Sequence, residues 1–396
     1  MNASKKKGVD KRAMAVLSAG HLFTDVNQGA VAALVPFLVA ERGLSLAAAG
    51  TLVLAATVSS SIVQPLFGYF SDKMSMGSLM PLGVMLGGVG IALVGVAPSY
   101  PLILLCIVLS GLGVAAFHPE SARFANYVSG SSENRARGMS FFSVGGNAGF
   151  ALGPVLATPL VLYFGLPGSL FLVLPALFMG FVLFQELPRL LTFRPEIVEA
   201  TGKEDSVESE QWGPFARMVA VVTMRSFLYF GIVTFVAQYY IEVHGSSAAL
   251  ANAALSVMLF AGAAGTLALG PVADRLGRRT VLAGSMLVLA PLIYAFTLAG
   301  PLSGMLVLAL IGAATVGTFG VTVVMGQEYL PGRIGVAAGI TLGLSIGIGG
   351  LGAPFLGIIA DNYGLPTMML TLAALPLVGL ALTLTLPRAT GTRAKT

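Results

Sequence analysis

Long apolar runs separated by short polar stretches fill most of the 396-residue chain. A helix needs ~20 mostly apolar residues to cross a lipid bilayer, and the runs are close to that length or exceed it. We therefore predict twelve membrane-spanning helices, over residues 13–40, 48–70, 78–97, 101–123, 138–163, 167–187, 214–241, 249–270, 280–298, 301–327, 336–360 and 364–386. The first run is too long and too polar for a cleaved signal peptide, so we predict that it stays in the protein.

One long polar stretch divides the predicted helices into two groups of six. Residues 188–213 are polar and mostly acidic, which is typical of a cytoplasmic linker. We predict an N-terminal six-helix bundle over 1–188, a linker over 189–213 and a C-terminal six-helix bundle over 214–396.

The two predicted bundles repeat each other in sequence. "GYFSDKMSMG" resembles "GPVADRLGRR", which places Asp72 and Asp274 202 residues apart, and Pro154 and Pro354 end two glycine-rich segments 200 residues apart. Spacings that agree this closely indicate a duplicated unit. We predict an all-α polytopic membrane protein of twelve transmembrane helices in two pseudo-symmetric bundles, with a substrate site between them near the midplane.

Composition and charge fit a membrane protein. Hydrophobic residues make up 56% of the chain and charged residues 10%, whereas soluble domains carry about 25% charged residues. All Lys and Arg residues except Arg42, Arg123 and Arg225 fall in one set of predicted loops. Basic loops stay in the cytoplasm, so we predict a multi-pass protein of the bacterial inner membrane with both termini cytoplasmic. The net charge of +5 reflects this topology and predicts no nucleic-acid partner.

The loop after the eighth helix resembles a known motif. It spells G-x-x-x-D-R-x-G-R-R with Gly270, Asp274, Arg275, Gly277, Arg278 and Arg279. This pattern is similar to the cytoplasmic loop of the major facilitator superfamily, and a degraded copy contains Gly68, Asp72 and Lys73. The resemblance implies that the loop is a conformational latch. In such a latch the Asp meets a helix N-terminus, and the Arg residues meet helix C-terminal carbonyls or acidic groups.

A narrower resemblance lies in the first half. "HLFTDVNQGAVAALVP", "SSSIVQPLFGYFSDK", "GLGVAAFHPESARFA" and "SFFSVGGNAGFALGP" together resemble the fosmidomycin-resistance family, and the second half shows less of this signature. The resemblance implies a proton-driven exporter. The glycine stripe of Gly145, Gly149 and Gly153 is also similar to the antiporter motif of drug exporters, although small residues pack helices closely without such a role.

Several polar side chains are predicted near mid-membrane and are candidates for substrate binding: His21, Asp25, Asn147 and Arg225, with Gln64 nearer the cytoplasm. Ionisable residues at such depth are costly and usually functional. The alternatives are a static ion pair for Asp25 and Arg225, a core histidine bonded to a carbonyl, and an interhelical hydrogen bond from Asn147.

The stretch "AFHPESARF" suggests proton coupling. Glu120 and Arg123 are three residues apart and can pair on one helix face, while His118 is predicted on another face, in the cytoplasmic third of the membrane. We predict that Asp25, His118, Glu120 and Arg123 take part in proton coupling. A plain salt bridge at a helix end is the alternative.

Other classes of protein have less support in the sequence. The three histidines lie on three different segments, and the sequence contains no H-E-x-x-H motif, no cysteine cluster and no G-x-x-x-x-G-K-[ST] motif. We therefore predict no metal, no cofactor and no enzyme activity. The predicted function is a monomeric, proton-coupled exporter of small polar or anionic compounds or drugs. Uptake of a small organic anion by proton symport and a transporter-fold receptor remain alternatives.

Overall fold

The computed structural model describes residues 8–64, 66–67, 76–129, 132–193, 210–333, 336–337, 340–341 and 345–387. Helices dominate these residues, and no strand occurs among them. The helices are α1 Lys11–Arg42, α2 Leu46–Ser61, α3 Leu79–Leu93, α4 Tyr100–Val128, α5 Ser132–Phe164, α6 Val173–Leu190, α7 Trp212–His244, α8 Ala248–Leu276, α9 Arg278–Leu298, α10 Pro301–Gly317, α11 Phe319–Tyr329, α12 Ser345–Gly350, α13 Gly352–Tyr363, α14 Leu365–Leu372 and α15 Ala374–Leu384. Short 3₁₀ turns occur at Val94–Val96, Leu166–Leu172 and Pro331–Arg333.

Ten helical segments in the described residues are long and apolar enough to cross a membrane. They match ten of the predicted spans within a few residues. The other two predicted spans, 48–70 and 336–360, lie partly outside the described residues, and α2 covers the start of the first of them. The chain is therefore an all-α, multi-pass membrane protein, as the hydropathy pattern predicts.

The end of α4 corrects one prediction. The helix continues to Val128, whereas the hydropathy pattern places its end at residue 123. The backbone N–H of Asp10 donates to the carbonyl of Val128 at 2.9 Å, so the start of α1 and the end of α4 lie at one level. The extra residues, 124–128, include Tyr127 and lie beyond the point where apolar run length alone would end the helix.

The duplication predicted from the sequence is visible in hydrogen bonding. The backbone N–H of Gln211 donates to the carbonyl of Tyr329 at 2.8 Å, which repeats the bond from Asp10 to Val128. Both partners of the second bond lie 201 residues after their counterparts. The start of α7 and the end of α11 are therefore tied together as α1 and α4 are.

Two glycines show the same repeat. Gly43 ends α1 and Gly245 ends α7, each with φ of 61°. A left-handed residue is the common way to end a helix, and glycine adopts it without a steric penalty. The two halves thus end equivalent helices in the same way, with a glycine in the left-handed conformation.

The helices assemble into two compact units. The first contains Met1–Glu204 and Ala248–Ser256, and the second contains Asp205–Ser247 and Val257–Thr396. The first unit has a core of apolar side chains from α1, α3, α4, α5 and α6, centred on Phe117, Phe124 and Leu183. The domain boundaries predicted from the sequence stay predictions, and most of the predicted linker lies outside the described residues.

The glycine stripe on α5 packs directly on α1. A Cβ atom at Gly145 would lie 2.3 Å from the carbonyl oxygen of Ser18, and a Cβ atom at Gly149 would lie 2.1 Å from that of Leu22. The two helix backbones approach so closely that no larger residue fits between them. This close packing brings the side chains of α1 against α5 in the middle of the first unit.

Candidate functional site

Helix register places His21 and His118 at one depth. His21 lies ten residues after the first residue of α1, and His118 lies ten residues before the last residue of α4. The two helix ends are joined by the bond between Asp10 and Val128, so each histidine lies about 15 Å from that level. The structure therefore places His118 level with His21, whereas the sequence analysis places His118 nearer the cytoplasm than His21. The difference arises because α4 continues five residues beyond its predicted end.

Three polar side chains meet at this depth in the first unit. The Nε2 atoms of His21 and His118 are 3.1 Å apart. The carboxylate of Asp25 reaches both rings, with Oδ2 at 3.3 Å from His21 Nε2 and Oδ1 at 3.2 Å from His118 Nε2. We call these three residues the His–Asp–His cluster. The sequence prediction placed His21 and Asp25 on one face of α1. It placed His118 on a different face of its helix from the pair formed by Glu120 and Arg123.

Backbone carbonyls fix the orientation of both imidazole rings. His21 Nδ1 lies 2.8 Å from the carbonyl oxygen of Phe142, and His118 Nδ1 lies 2.9 Å from that of Val114. A carbonyl oxygen only accepts hydrogen bonds, so each Nδ1 carries the hydrogen and donates it. In a neutral ring the other nitrogen is then an acceptor. Both Nε2 atoms therefore turn lone pairs toward each other and toward Asp25.

Aromatic rings and a glycine surround the cluster. The ring of Phe142 stacks on His21 with 4.2 Å between centroids, and Phe117 meets His118 edge-on at 5.8 Å. A Cβ atom at Gly146 would lie 2.4 Å from His21 Nε2 and 2.7 Å from Asp25 Oδ2. Gly146 thus leaves the space that the polar groups occupy. Neither Phe142 nor Gly146 was among the predicted site residues, since their role depends on contacts between helices.

Glu120 and Arg123 lie together on α4, next to the cluster in sequence. Arg123 Nη2 donates to Glu120 Oε1 at 2.6 Å, and the Glu120 side chain is fully buried. Asn147 is half-buried on α5, and Gln64 is half-buried just beyond α2. The predicted substrate and coupling residues of the first half are thus distributed over α1, α4 and α5, with Gln64 on a separate segment.

Arg225 lies on α7 in the second unit and is 1% exposed. Its Nη1 donates to Thr318 Oγ1 at 2.8 Å, and its guanidinium lies over the ring of Phe319 at 4.0 Å. Thr322 Oγ1 is 3.5 Å from Nη2, and Nε is buried without a hydrogen-bond partner in the described part of the chain. Among the described residues, the neighbours of this cation are hydroxyls and an aromatic ring, with no carboxylate in ion-pair distance. Within the first unit, Asp25 pairs with His21 and His118.

The Arg225 site and the His–Asp–His cluster occupy equivalent places in the two units. The repeat offset of 201 residues relates His118 on α4 to Phe319 on α11. The same offset relates Asp25 on α1 to Ser226 on α7, directly after Arg225. One unit thus presents histidines and a carboxylate where the other presents a guanidinium. Thr318, Phe319 and Thr322 are site residues that periodicity alone did not indicate.

The second copy of the predicted latch is described, and the first copy is not. Gly68, Asp72 and Lys73 lie outside the described residues. Arg279 donates from Nε to the carbonyl of Thr383 at 3.2 Å and from Nη2 to that of Leu384, at the end of α15. These contacts are of the kind the motif implies for its arginines.

The remaining residues of that loop are more exposed. Arg278 pairs with Glu328 and lies 3.6 Å from Asp274, whose side chain is 70% exposed. Gly277 joins α8 to α9 in one residue with φ of 88°, a conformation that favours glycine. Arg275 is exposed and Gly270 is half-buried on α8. The expected contact of Asp274 with a helix N-terminus is not among the contacts described, so the latch role stays a prediction.

Family comparison identifies the class of protein. The model of the Major Facilitator Superfamily matches residues 17–351 and 219–395. The chain belongs to this superfamily of transporters, and the twelve-helix major facilitator fold predicted from the sequence is confirmed.

Two related proteins are similar over nearly the whole chain. Fosmidomycin resistance protein of Escherichia coli (strain K12) is 33% identical over 382 residues, which cover 94% of this chain and 92% of that protein. The MFS-type transporter YfnC of Bacillus subtilis (strain 168) is 32% identical over 372 residues, which cover 92% of this chain and 90% of that protein. The predicted resemblance to the fosmidomycin-resistance family is thereby confirmed.

Solved structures share the fold at low sequence identity. A bacterial homologue of the human lysosomal transporter Spinster, inward-facing and unoccupied, gives a TM-score of 0.77 at 15% identity and covers 94% of this chain and 95% of that one. A D-xylose-proton symporter gives 0.73 at 16% identity, with the same coverage of both chains.

Proposed function

We propose that this transporter exports small polar or anionic compounds, drugs included, from the cytoplasm across the bacterial inner membrane. Both termini would lie in the cytoplasm, as the distribution of basic residues predicts. The two six-helix halves would rock about a central site and expose it to each side in turn. One observation carries the anionic part of the proposal: Arg225 is buried and is surrounded by hydroxyls and a ring.

Burial makes the charge of Arg225 informative. A buried cation without an anionic partner is costly, and ionisable groups within a membrane usually mark a substrate or ion pathway. A guanidinium binds carboxylate, phosphate or phosphonate oxygens through two parallel hydrogen bonds. Thr318 orients one edge of the group, and the unpartnered Nε belongs to another edge. An anionic substrate would supply the acceptors that the described protein groups do not.

The direction of transport and its energy source form the second part of the proposal. The name of the similar fosmidomycin resistance protein favours export of a toxic compound. The sequence contains no phosphate-binding motif for ATP, which favours an ion gradient, and we propose that protons supply it. The roles in proton coupling predicted from the sequence for Asp25, His118, Glu120 and Arg123 stay predictions, and the anion proposal does not depend on them. We expect the monomer to be the working unit.

Vesicle transport tests the proposal with a matched control. Everted membrane vesicles are given a pH gradient in which the vesicle interior is acidic. They should accumulate fosmidomycin, which serves as an anionic probe, only when they contain this chain. Arg225→Lys should raise the KM about tenfold or more, because an ammonium cannot reproduce the bidentate contact. Arg217→Lys, on the same helix and half-buried near its start, should leave KM unchanged.

Other outcomes identify the alternatives. Accumulation confined to right-side-out vesicles would point to uptake by symport instead of export. No flux for a range of probes, with binding retained, would favour a receptor. An unchanged KM in Arg225→Lys would remove the case for an anionic substrate.

A further inference from the structure

The His–Asp–His cluster contains more acceptors than its described surroundings satisfy. Both Nδ1 atoms donate to carbonyls, so in neutral rings His21 Nε2 and His118 Nε2 are acceptors, and they face the two acceptor oxygens of Asp25. Asp25 Oδ1 is buried, and its neighbour at 3.2 Å is His118 Nε2, which carries no hydrogen in the neutral ring. Acceptors placed 3.1–3.3 Å apart repel each other unless a cation lies between them.

The spacing of these atoms fits a coordinated metal ion. A tetrahedral zinc ion holds nitrogen and oxygen ligands at about 2.0–2.2 Å, which separates the ligand atoms by roughly 3.3 Å. The two histidine nitrogens are 3.1 Å apart, and each lies 3.2–3.3 Å from a different oxygen of Asp25. One ligand atom from each of the three residues lies within 4.8 Å of the other two. An ion at bonding distance from all three would need little movement of the side chains.

The groups behind the ligands also fit a metal site. Histidines that bind metals almost always donate their second ring nitrogen to a carbonyl or a carboxylate, which fixes the ring. Both histidines of the cluster do so, through Phe142 and Val114. The cluster is polar but not sealed, since the three side chains are 12%, 13% and 19% exposed.

A single proton satisfies this arrangement less well. If one Nε2 carries a hydrogen, it can donate that hydrogen to one acceptor with good geometry. The remaining acceptors then still face each other. Two hydrogens, one on each Nε2, would each find an oxygen of Asp25, but they would make both rings cationic and place two N–H donors 3.1 Å apart beside a single carboxylate. One ion bound to all three groups removes both conflicts.

We propose that His21, Asp25 and His118 bind one divalent transition-metal ion, with zinc as the ion that the ligand set fits best. Two imidazoles and one carboxylate are typical ligands of zinc and unlike the all-oxygen sites of calcium or magnesium. Three protein ligands leave a fourth position open for water or for a small anion. This inference replaces the expectation from the sequence that no metal is bound, and it does not rest on the proposed export function.

Metal titration of the purified full-length chain tests the proposal. The protein is prepared in detergent with a tag that contains no histidine and is treated with a chelator. Calorimetry with Zn²⁺ should give one ion per chain, and Co²⁺ should produce a visible absorption spectrum of tetrahedral type. His21→Gln, Asp25→Asn and His118→Gln should each weaken binding about tenfold or more. The control is His244→Gln, which changes the remaining histidine of the chain and should bind as the unchanged protein does.

A further variant distinguishes loss of a metal ligand from loss of folding. His118→Cys keeps a ligand at the same place, and a thiolate bound to Co²⁺ adds a strong near-ultraviolet band. The appearance of that band would place the metal at residue 118. The proposal is overturned if the unchanged protein binds no ion, if His244→Gln abolishes binding, or if folded His118→Cys takes up Co²⁺ without the thiolate band.

Discussion

His21 and His118 face each other through their Nε2 atoms at 3.1 Å, although 97 residues separate them in sequence. Two features make the meeting possible. The backbone bond from Asp10 to Val128 sets the register of α1 against α4, and Gly146 on α5 leaves room for the rings. The polar centre of the first unit therefore depends on a helix-end contact about 15 Å away.

That helix end leads to the first prediction, on Asp10. Its Oδ1 accepts from the backbone N–H of Ala13 at 2.9 Å, and its carboxylate pairs with Arg189 at 3.0 Å. Asp10→Ala removes the cap and the pair, so it should lower the free energy of unfolding by about 1–2 kcal/mol. Thermal unfolding in detergent measures this, and Asp10→Asn, which keeps a capping oxygen, should cost less.

The pH dependence of this effect has a definite sign. The hydrogen bond from Ala13, with help from Arg189, lowers the pKa of Asp10 below its ordinary value of 3.8. A lowered pKa means that the stabilisation is complete above about pH 4 and is lost as the pH falls through the folded-state pKa. The stability difference between the unchanged protein and Asp10→Asn should therefore shrink at low pH. A difference that grows on acidification would contradict this account.

The second prediction concerns Gly146. A methyl group there would lie 2.4 Å from His21 Nε2, and the His21 ring cannot yield easily because Phe142 holds it. Gly146→Ala should cost about 1–3 kcal/mol of stability and weaken Zn²⁺ binding about tenfold. Gly284→Ala is the control, since nothing lies within 4 Å of its added Cβ. Equal zinc affinity in both variants would show that Gly146 does not shape the cluster.

The fold could be predicted almost completely from the sequence, and the site only in part. Apolar runs indicate spanning helices because the bilayer requires their length, and the repeat was visible in Asp72 and Asp274. The end of α4 was missed because Arg123 and Tyr127 lower its hydropathy, although the hydrogen bond from Asp10 N–H to the carbonyl of Val128 holds the helix end. Because of that difference of five residues, the sequence analysis places His118 nearer the cytoplasm than His21, whereas the structure places them side by side.

Contacts between helices set a second limit on prediction. Arg225 was identified by its charge, but its neighbours Thr318 and Phe319 resemble ordinary apolar-helix residues in sequence. A search at the repeat offset of 201 residues from His118 would have reached Phe319. Gly146 gave no signal beyond its place beside the glycine stripe, because its importance lies in the space it leaves open.

The third prediction concerns the orientation of Arg225. Thr318 Oγ1 accepts from Arg225 Nη1 at 2.8 Å, and Thr318→Val removes that acceptor with little change in volume. The freed guanidinium hydrogen should cost about 1–2 kcal/mol of stability, and KM for an anionic substrate should rise about threefold to tenfold. Thr315→Val is the matched control, because its hydroxyl donates to Ile311 within α10. Equal changes of KM in the two variants would argue against a role of Thr318 in orienting Arg225.

The fourth prediction separates the latch from stability. The side chain of Asp274 is 70% exposed and lies 3.6 Å from Arg278. Asp274→Asn should therefore change the free energy of unfolding, measured by thermal unfolding, by less than about 0.5 kcal/mol. If the loop is a conformational latch, the same variant should lower the transport rate about tenfold, because it biases the equilibrium between open states. Asp72→Asn should act in the same direction. Exposed Glu41→Gln serves as the control, and wild-type flux in both Asp variants would exclude the latch.

The last prediction concerns Glu120 and Arg123. Their side chains are 0% and 18% exposed and joined at 2.6 Å, so removing either charge breaks a buried ion pair on α4. Glu120→Gln and Arg123→Gln should each lower the free energy of unfolding by about 2–4 kcal/mol, and the double variant should cost less than the sum. Reaction of the half-buried Cys106 with a thiol dye during heating reports unfolding in all four proteins. Additive costs would show that the two side chains act independently and that the pair does not hold α4 together at this point.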